Sequence, residues 1–183
     1  MINPYRKNIL SSYSQLDINK IRWSNTLEFI GTCDKAKSGL DIGDRTLFTL
    51  ELEKVFGCSF KNTNIDLDID KIKGQYDIIT AFEIIEHLYN PLHCLEQIRQ
   101  ALKENGRLYL STPVGKLYIL WAPGHFHEIH RERLHSLFKR AEFQIIRQDT
   151  FRIHPNYFYF TGFRPLLRGI FEKVQIYELC IDK

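Results

Sequence analysis

What this 183-residue chain lacks narrows its class before any motif is read. No run approaches the roughly 18 apolar residues that cross a bilayer, so no membrane span is expected. The amino terminus, Met1-Ile2-Asn3-Pro4-Tyr5-Arg6-Lys7, has no apolar stretch ahead of a small-residue cleavage site, which points away from secretion. Cysteine is scarce. Cys33, Cys58, Cys94 and Cys180 lie far apart without a C-x-x-C pair, which argues against a zinc knuckle and a disulfide scaffold. Neither charge dominates: 25 Lys+Arg against 22 Asp+Glu leaves +3, well below the surplus of a dedicated nucleic-acid binder. Internal repeats and low-complexity tracts are absent, as is the Gly-x-Gly-x-x-Gly loop of nicotinamide dehydrogenases. A reduced, cytoplasmic protein is the expectation.

A hydrophobic content of 44% supplies a core for one domain, 1–183. Within it the sequence suggests an N-terminal helical cap over 1–38, a core sheet over 39–148 and a C-terminal hairpin over 149–183. In the cap, Ile9, Leu16, Ile21, Trp23, Leu27 and Ile30 stand at near-helical spacing, with Asp17 or Ser24 able to cap successive helices. Leu40-Asp41-Ile42-Gly43 reads as a short strand, Thr46 to Phe56 as a helix closed by Gly57, and Cys58 to Thr63 as a second strand. Tyr76 to Phe82 is an apolar run suited to a buried parallel strand. Pro91 opens a helix whose spacing of Leu92, Leu95, Ile98 and Leu102 predicts an end at Asn105-Gly106. Arg107 to Thr112 follows as a strand, Arg131 to Arg140 as a helix and Phe143 to Arg147 as a strand. Such alternation predicts an α/β fold with a mostly parallel sheet, which binds ligands at the carboxyl ends of its strands.

Three stretches carry a resemblance: LDIGDRTLF at Leu40–Phe48, YDIITAFEIIEHLYNP at Tyr76–Pro91 and ENGRLYLSTP at Glu104–Pro113. Together they resemble the class I S-adenosylmethionine-dependent methyltransferases, especially the small-molecule and biosynthetic group. The resemblance spans roughly Gly39 to Gln148. It implies a Rossmann-like, doubly wound sheet with an antiparallel C-terminal strand, S-adenosyl-L-methionine as cofactor and a small-molecule acceptor rather than nucleic acid. The family's loop reads acid-x-Gly-x-Gly-x-Gly; here Asp41 and Gly43 match, while Arg45 and Leu47 occupy the other two glycine positions. Glycine there admits the backbone to the methionine part of the cofactor. Arg45 either pairs with the cofactor's carboxylate or faces solvent. Between Gly57 and Tyr76 the family fits two strands and a helix, so one strand–helix unit is expected to be shortened or lost.

By register with the family, Asn64 falls where an acid holds the ribose hydroxyls, and Asp66 with Leu67 where the adenine is bound. Ala81, Phe82 and Glu83 fall against the cofactor. A histidine can serve as base for a substrate hydroxyl, and His87 is the first candidate and His127 the second. His127 lies on the Trp121–His130 connection, which follows the Ser-Thr-Pro strand and is expected to close over the acceptor. Tyr157-Phe158-Tyr159-Phe160 either walls a pocket or packs the hairpin. Two alternatives stand beside methyl transfer. One is a non-catalytic binding protein whose Arg45 and Leu47 fill the cofactor pocket. The other follows from Glu83-x-x-Glu86-His87 with His125, His127 and Glu128, which resembles the magnesium-dependent small-RNA 2′-O-methyltransferases. The missing basic surplus weighs against an RNA enzyme, and no metal is expected.

Overall fold

In the computed structural model the described residues are 17–33, 35–116, 124–162, 166 and 172–182. Among them, the alternating apolar and amphipathic runs form helices α1 (Asp17–Ile30), α2 (Leu47–Phe56), α3 (Pro91–Ala101) and α4 (Arg131–Arg140). The strands are β1 (Gly39–Asp41), β2 (Phe60–Asn62), β3 (Tyr76–Phe82), β4 (Leu102–Pro113), β5 (Phe143–Arg152) and β6 (Lys173–Ile181). Short 3₁₀ turns lie at Ile85–His87 and Asn156–Phe160.

The six strands form one sheet in the order β2-β1-β3-β4-β6-β5. β1 pairs in parallel with β2 and β3, and β3 with β4. Only β6 is reversed, antiparallel to both β4 and β5. The architecture is the expected α/β, Rossmann-like, mostly parallel sheet with an antiparallel C-terminal strand. β2 alone occupies the stretch between Gly57 and Tyr76, which leaves the sheet one strand–helix unit short of what the resemblance implies there.

Strand alternation feeds two cores. Ile79 and Ala81 of β3 and Leu108 and Leu110 of β4 point to the face covered by α3 and α4, with Leu95, Ile98, Leu134 and Phe138. Ile78 and Tyr109 point the other way, to Ile30, Leu52, Phe56 and Phe60. Trp23 of α1 stacks on Phe48 of α2 at 5.2 Å between centroids, which seats α1 on the same face of the sheet as α2. Arg147 fixes its far end, donating to the Ile30 carbonyl at 3.0 Å. α2 is delimited as its sequence predicts. Thr46 caps it in a reciprocal box with Thr49, and Gly57 closes it in the left-handed region at φ 65°.

Several boundaries differ from the sequence expectation. α1 runs through Ser24 without a break, so Ser24 opens no second helix. α3 ends at Ala101 rather than at Asn105-Gly106. Leu102 turns extended and pairs with Tyr76, so β4 starts five residues earlier than its apolar run, with a register shift before Ile78 meets Arg107. Gly106 serves that irregularity: a Cβ there would meet Leu102 Cδ1 at 2.8 Å and the Asp77 carbonyl at 2.9 Å. β2 is shorter than expected, and β5 continues through the 148/149 boundary. Residues 1–16 of the expected cap lie outside the described residues. No helix among the described residues is long and apolar enough to cross a membrane.

Candidate active site

A cleft of about 650 Å³ opens at the carboxyl ends of β1, β3 and β4. That is where an open α/β sheet binds ligands, and the volume suits a small molecule. Asn19, Arg22, Trp23 and Thr26 of α1 form one wall, while Ile153, His154, Glu172 and Lys173 beside the β5–β6 connection form another.

The floor begins with Asp41, the last residue of β1. Its carboxylate accepts Thr49 Oγ1 at 2.6 Å and Thr80 Oγ1 at 2.7 Å, tying β1 to α2 and β3. Burial pushes this carboxyl above its ordinary range against the pull of those hydrogen bonds. Gly43 follows at φ 102°, a left-handed backbone that excludes most side chains. A Cβ there would stand 3.3 Å from Ile84 Cδ1. The two residues at the family's other glycine positions turn away from the cleft. Arg45 donates to Glu53 Oε2 at 2.8 Å and to the Phe60 carbonyl at 3.0 Å, so it is held on the exposed surface and does not reach into the site. Leu47 is 55% exposed and borders a separate surface depression with Leu50 and Cys58.

The second half of the site follows β3. Glu83 sits at φ 55°, a conformation that costs a non-glycine residue about 1–3 kcal/mol and recurs at functional sites. Its backbone N–H donates to the Ser111 carbonyl at 2.9 Å, and Ser111 Oγ donates back to Oε1 at 2.8 Å. Arg22 Nη2 lies 3.6 Å from the other oxygen, while its Nε is buried without a hydrogen-bond partner among the described residues. Glu86 is fully buried. Thr112 Oγ1 donates to its Oε2 at 3.1 Å, and its Oε1 has no hydrogen-bond partner among the described residues. Burial, with the nearby Glu83 charge adding, pushes the Glu86 carboxyl well above the usual carboxylate range.

Glu86 also organises the loop after β4. Its carbonyl accepts the N–H groups of Phe126 at 2.8 Å and His127 at 3.1 Å. This clasp delivers His125 to the cleft, where its ring meets that of His87 at 4.8 Å between centroids. One potential ligand atom each from Glu86, His87 and His125 lies within 4.8 Å of the others.

Of the sequence-predicted site residues, the structure brings Asp41, Gly43, Phe82, Glu83 and His87 to this cleft. Phe82 also packs edge-on against Phe48, so it serves both core and cleft. Ala81 is fully buried beneath the site. Asn64, Asp66 and Leu67 stand outside the cleft lining. Asp66 is exposed in a local turn, accepting the Asp68 N–H at 3.0 Å, and Leu67 packs on the core. His127 is also outside, its Nε2 3.4 Å from the Tyr89 carbonyl. Trp121 and Pro123 lie outside the described residues. The aromatic run divides: Tyr159 is buried and Phe158 stacks on His154 at 4.2 Å, while Tyr157 and Phe160 are exposed.

Two residues escape the sequence reading. Arg22 reaches the cleft because α1 docks through Trp23, a contact with no local trace. Asn62, rather than Asn64, ends β2; its Nδ2 donates to the Asp41 and Gly43 carbonyls at 3.3 Å, and its Oδ1 is buried without a partner among the described residues.

Residues 16–148 match a family model described as a methyltransferase domain. The stretch most similar to a curated ubiquinone biosynthesis O-methyltransferase of Shewanella pealeana is 30% identical over 78 residues, covering 41% of this chain and 33% of that protein. The matched stretch thus spans about a third of the curated relatives' length. Among solved structures, the N-methyltransferase NodS of Bradyrhizobium japonicum, in complex with S-adenosyl-l-homocysteine, superposes with a TM-score of 0.65 at 13% identity, over 91% of this chain and 88% of that one. A Burkholderia thailandensis 1,6-didemethyltoxoflavin-N1-methyltransferase gives 0.61 at 11% identity, over 98% and 84%. At these identities the likeness is one of fold.

Proposed function

The chain belongs to the methyltransferase-domain family, and from that premise we propose that it transfers the methyl group of S-adenosyl-L-methionine to a small-molecule acceptor. One observation carries the reading: the residues that replace the loop glycines, Arg45 and Leu47, leave the strand-end cleft clear.

The residues present fit the cofactor. Gly43 lets the backbone approach a ligand, and the cleft wall offers Arg22, whose orphaned Nε suits a carboxylate. Asn62, whose Nδ2 donates to the Asp41 and Gly43 carbonyls at 3.3 Å, braces the loop that Gly43 opens. In this reading Asp41 fixes the loop, Gly43 admits the cofactor, and Phe82 and Glu83 border it. Asn64, Asp66 and Leu67 stand outside the cleft lining, and Arg22 is the residue we assign to the cofactor's carboxylate. When bound, the cofactor supplies an electrophilic methyl group on a sulfonium. The chain's own work is to align the acceptor and exclude water. His87 is the residue we assign to the acceptor, with His125 beside it; His127 anchors the loop.

The likeness to the 1,6-didemethyltoxoflavin and ubiquinone-biosynthesis enzymes supports a small organic acceptor. A cytoplasmic setting belongs to the same proposal, in keeping with four free thiols. The non-catalytic alternative loses its ground because Arg45 and Leu47 do not fill the cleft. The test is incubation of the full chain with methyl-labelled cofactor and a panel of phenol, hydroxy-acid and amine acceptors. Label transferred to a small molecule supports the reading; label found only on added RNA, or nowhere despite cofactor binding, contradicts it.

A further inference from the structure

We propose that a second cavity, on the rim of the sheet opposite the cleft, binds a small phosphate-bearing anion. About 570 Å³ in volume, it opens between the α1–β1 connection and the ends at which β3 and β4 begin. Among its described lining residues, the five cations Lys35, Lys37, Lys103, Arg107 and Arg147 face two carboxylates, Asp77 and Glu178. That surplus equals the formal +3 of the whole chain, so a nearly balanced composition is folded into one strongly positive hollow.

The two carboxylates leave most of this charge unmet. Asp77 takes Lys103, whose Nζ lies 2.9 Å from Oδ1. Glu178, nearly buried on β6, holds two guanidinium groups at once: Arg147 Nε donates to Oε2, and Arg107 Nε lies 3.5 Å from Oε1. Two planar forks are thereby gathered at one place, each with N–H groups to spare, and such forks match phosphate oxygens. Lys35 and Lys37 have no ion pair among the described residues. Like charges held this close repel, and an anion between them removes the repulsion.

The loop that carries the two lysines is fixed in place. The Ala36 N–H donates to the Phe56 carbonyl at 3.0 Å, and the Lys37 N–H to Asp77 Oδ2 at 3.1 Å. A buried polar group adds a separate indication. Tyr109 is 3% exposed and lines the cavity, with its hydroxyl 3.8 Å from Cys33 Sγ, a weak partner for a phenol. Burial, with the Glu178 charge adding, pushes this hydroxyl above its ordinary range, so it keeps its proton and can donate. A phosphate supplies both the negative charge and the several acceptor oxygens that these donors need, whereas one carboxylate meets only part of the surplus. No residue lines both this cavity and the cleft, so the inference stands apart from methyl transfer.

The experiment is calorimetric titration of inorganic phosphate, and separately phenyl phosphate, into the full chain in a phosphate-free buffer of fixed salt. At least one of them should bind saturably at one equivalent, and the tighter of the two tells free phosphate from a phosphate ester as the source. Lys35→Glu and Lys37→Glu should each weaken that binding at least about tenfold, and Tyr109→Phe about threefold or more. Both lysines are exposed, so their variants leave the core undisturbed. Excess S-adenosylhomocysteine should leave the affinity within about twofold, because the two ligands occupy different cavities. Affinity unchanged in both lysine variants, displacement by S-adenosylhomocysteine, or no saturable heat with either anion would overturn the site. A single-stranded RNA that binds when neither phosphate does would likewise overturn it and give the patch to nucleic acid.

Discussion

Arg45 and Glu53 form an ion pair at 2.8 Å that binds the first turn after β1 to the middle of α2. Glu53 Oε1 also accepts the Phe60 N–H at 2.8 Å, and that backbone bond, with Arg45 second, holds its carboxyl below the usual range. The arginine at a glycine position of the loop is therefore a brace between α2 and β2. Arg45→Ala should leave S-adenosylhomocysteine affinity within about twofold and cost about 0–1 kcal/mol of stability, as exposed ion pairs do. Calorimetry and urea denaturation on the same preparation check both numbers. A tenfold loss of affinity would return Arg45 to the cofactor.

Gly43 should behave in the opposite way. Valine at φ 102°, with its Cβ 3.3 Å from Ile84 Cδ1, strains the loop and crowds the cleft. Gly43→Val should weaken S-adenosylhomocysteine by tenfold or more in a chain that still folds by circular dichroism. An unchanged affinity would place the cofactor elsewhere.

Arg22 and Asp66 distinguish the cleft from the acidic turn after β2. Arg22→Met keeps the apolar stem and removes the cation, and it should lower affinity at least about tenfold, the cost of a lost charge-assisted hydrogen bond. Asp66 is exposed and accepts only within its own turn among the bonds described, so Asp66→Ala should change affinity less than about twofold. The reverse order of losses would restore the expected adenine site at Asp66 and Leu67.

Much of the sheet could be read from the sequence, because its determinants are local. Tyr76–Phe82 is a mainly apolar run, Pro91 opens α3, and Thr46 and Gly57 bracket α2 by capping chemistry alone. The failures are where a distant partner decides. Leu102 has helical spacing behind it yet joins β4, because Tyr76 offers it a strand to pair with. The family pattern points to Asn64, whereas the pairing of β2 with β1 stops at Asn62. Arg22, 61 positions before Glu83, enters the cleft only once Trp23 has docked. His125 rather than His127 faces the site because the Glu86 carbonyl sets the loop's phase.

Asp41 gives a pH test of the floor. Burial raises its carboxyl above 3.8, so the folded chain keeps a proton over an interval in which the unfolded chain has lost it. Its contribution to stability is full below 3.8 and declines as pH rises to the folded value. Asp41→Asn removes that decline, and the difference between the two stability–pH curves, from urea midpoints, should be confined to that interval. Parallel curves would mean that Asp41 is solvated.

The central claim is that the cleft beside Gly43 accepts S-adenosylmethionine despite the missing glycines. Isothermal titration of S-adenosylhomocysteine into the unmodified full chain tests it most directly. The account predicts saturable binding of one equivalent with a Kd well below about 1 mM. No heat of binding at millimolar ligand, with the chain folded, would contradict it and leave a methyltransferase fold without its cofactor.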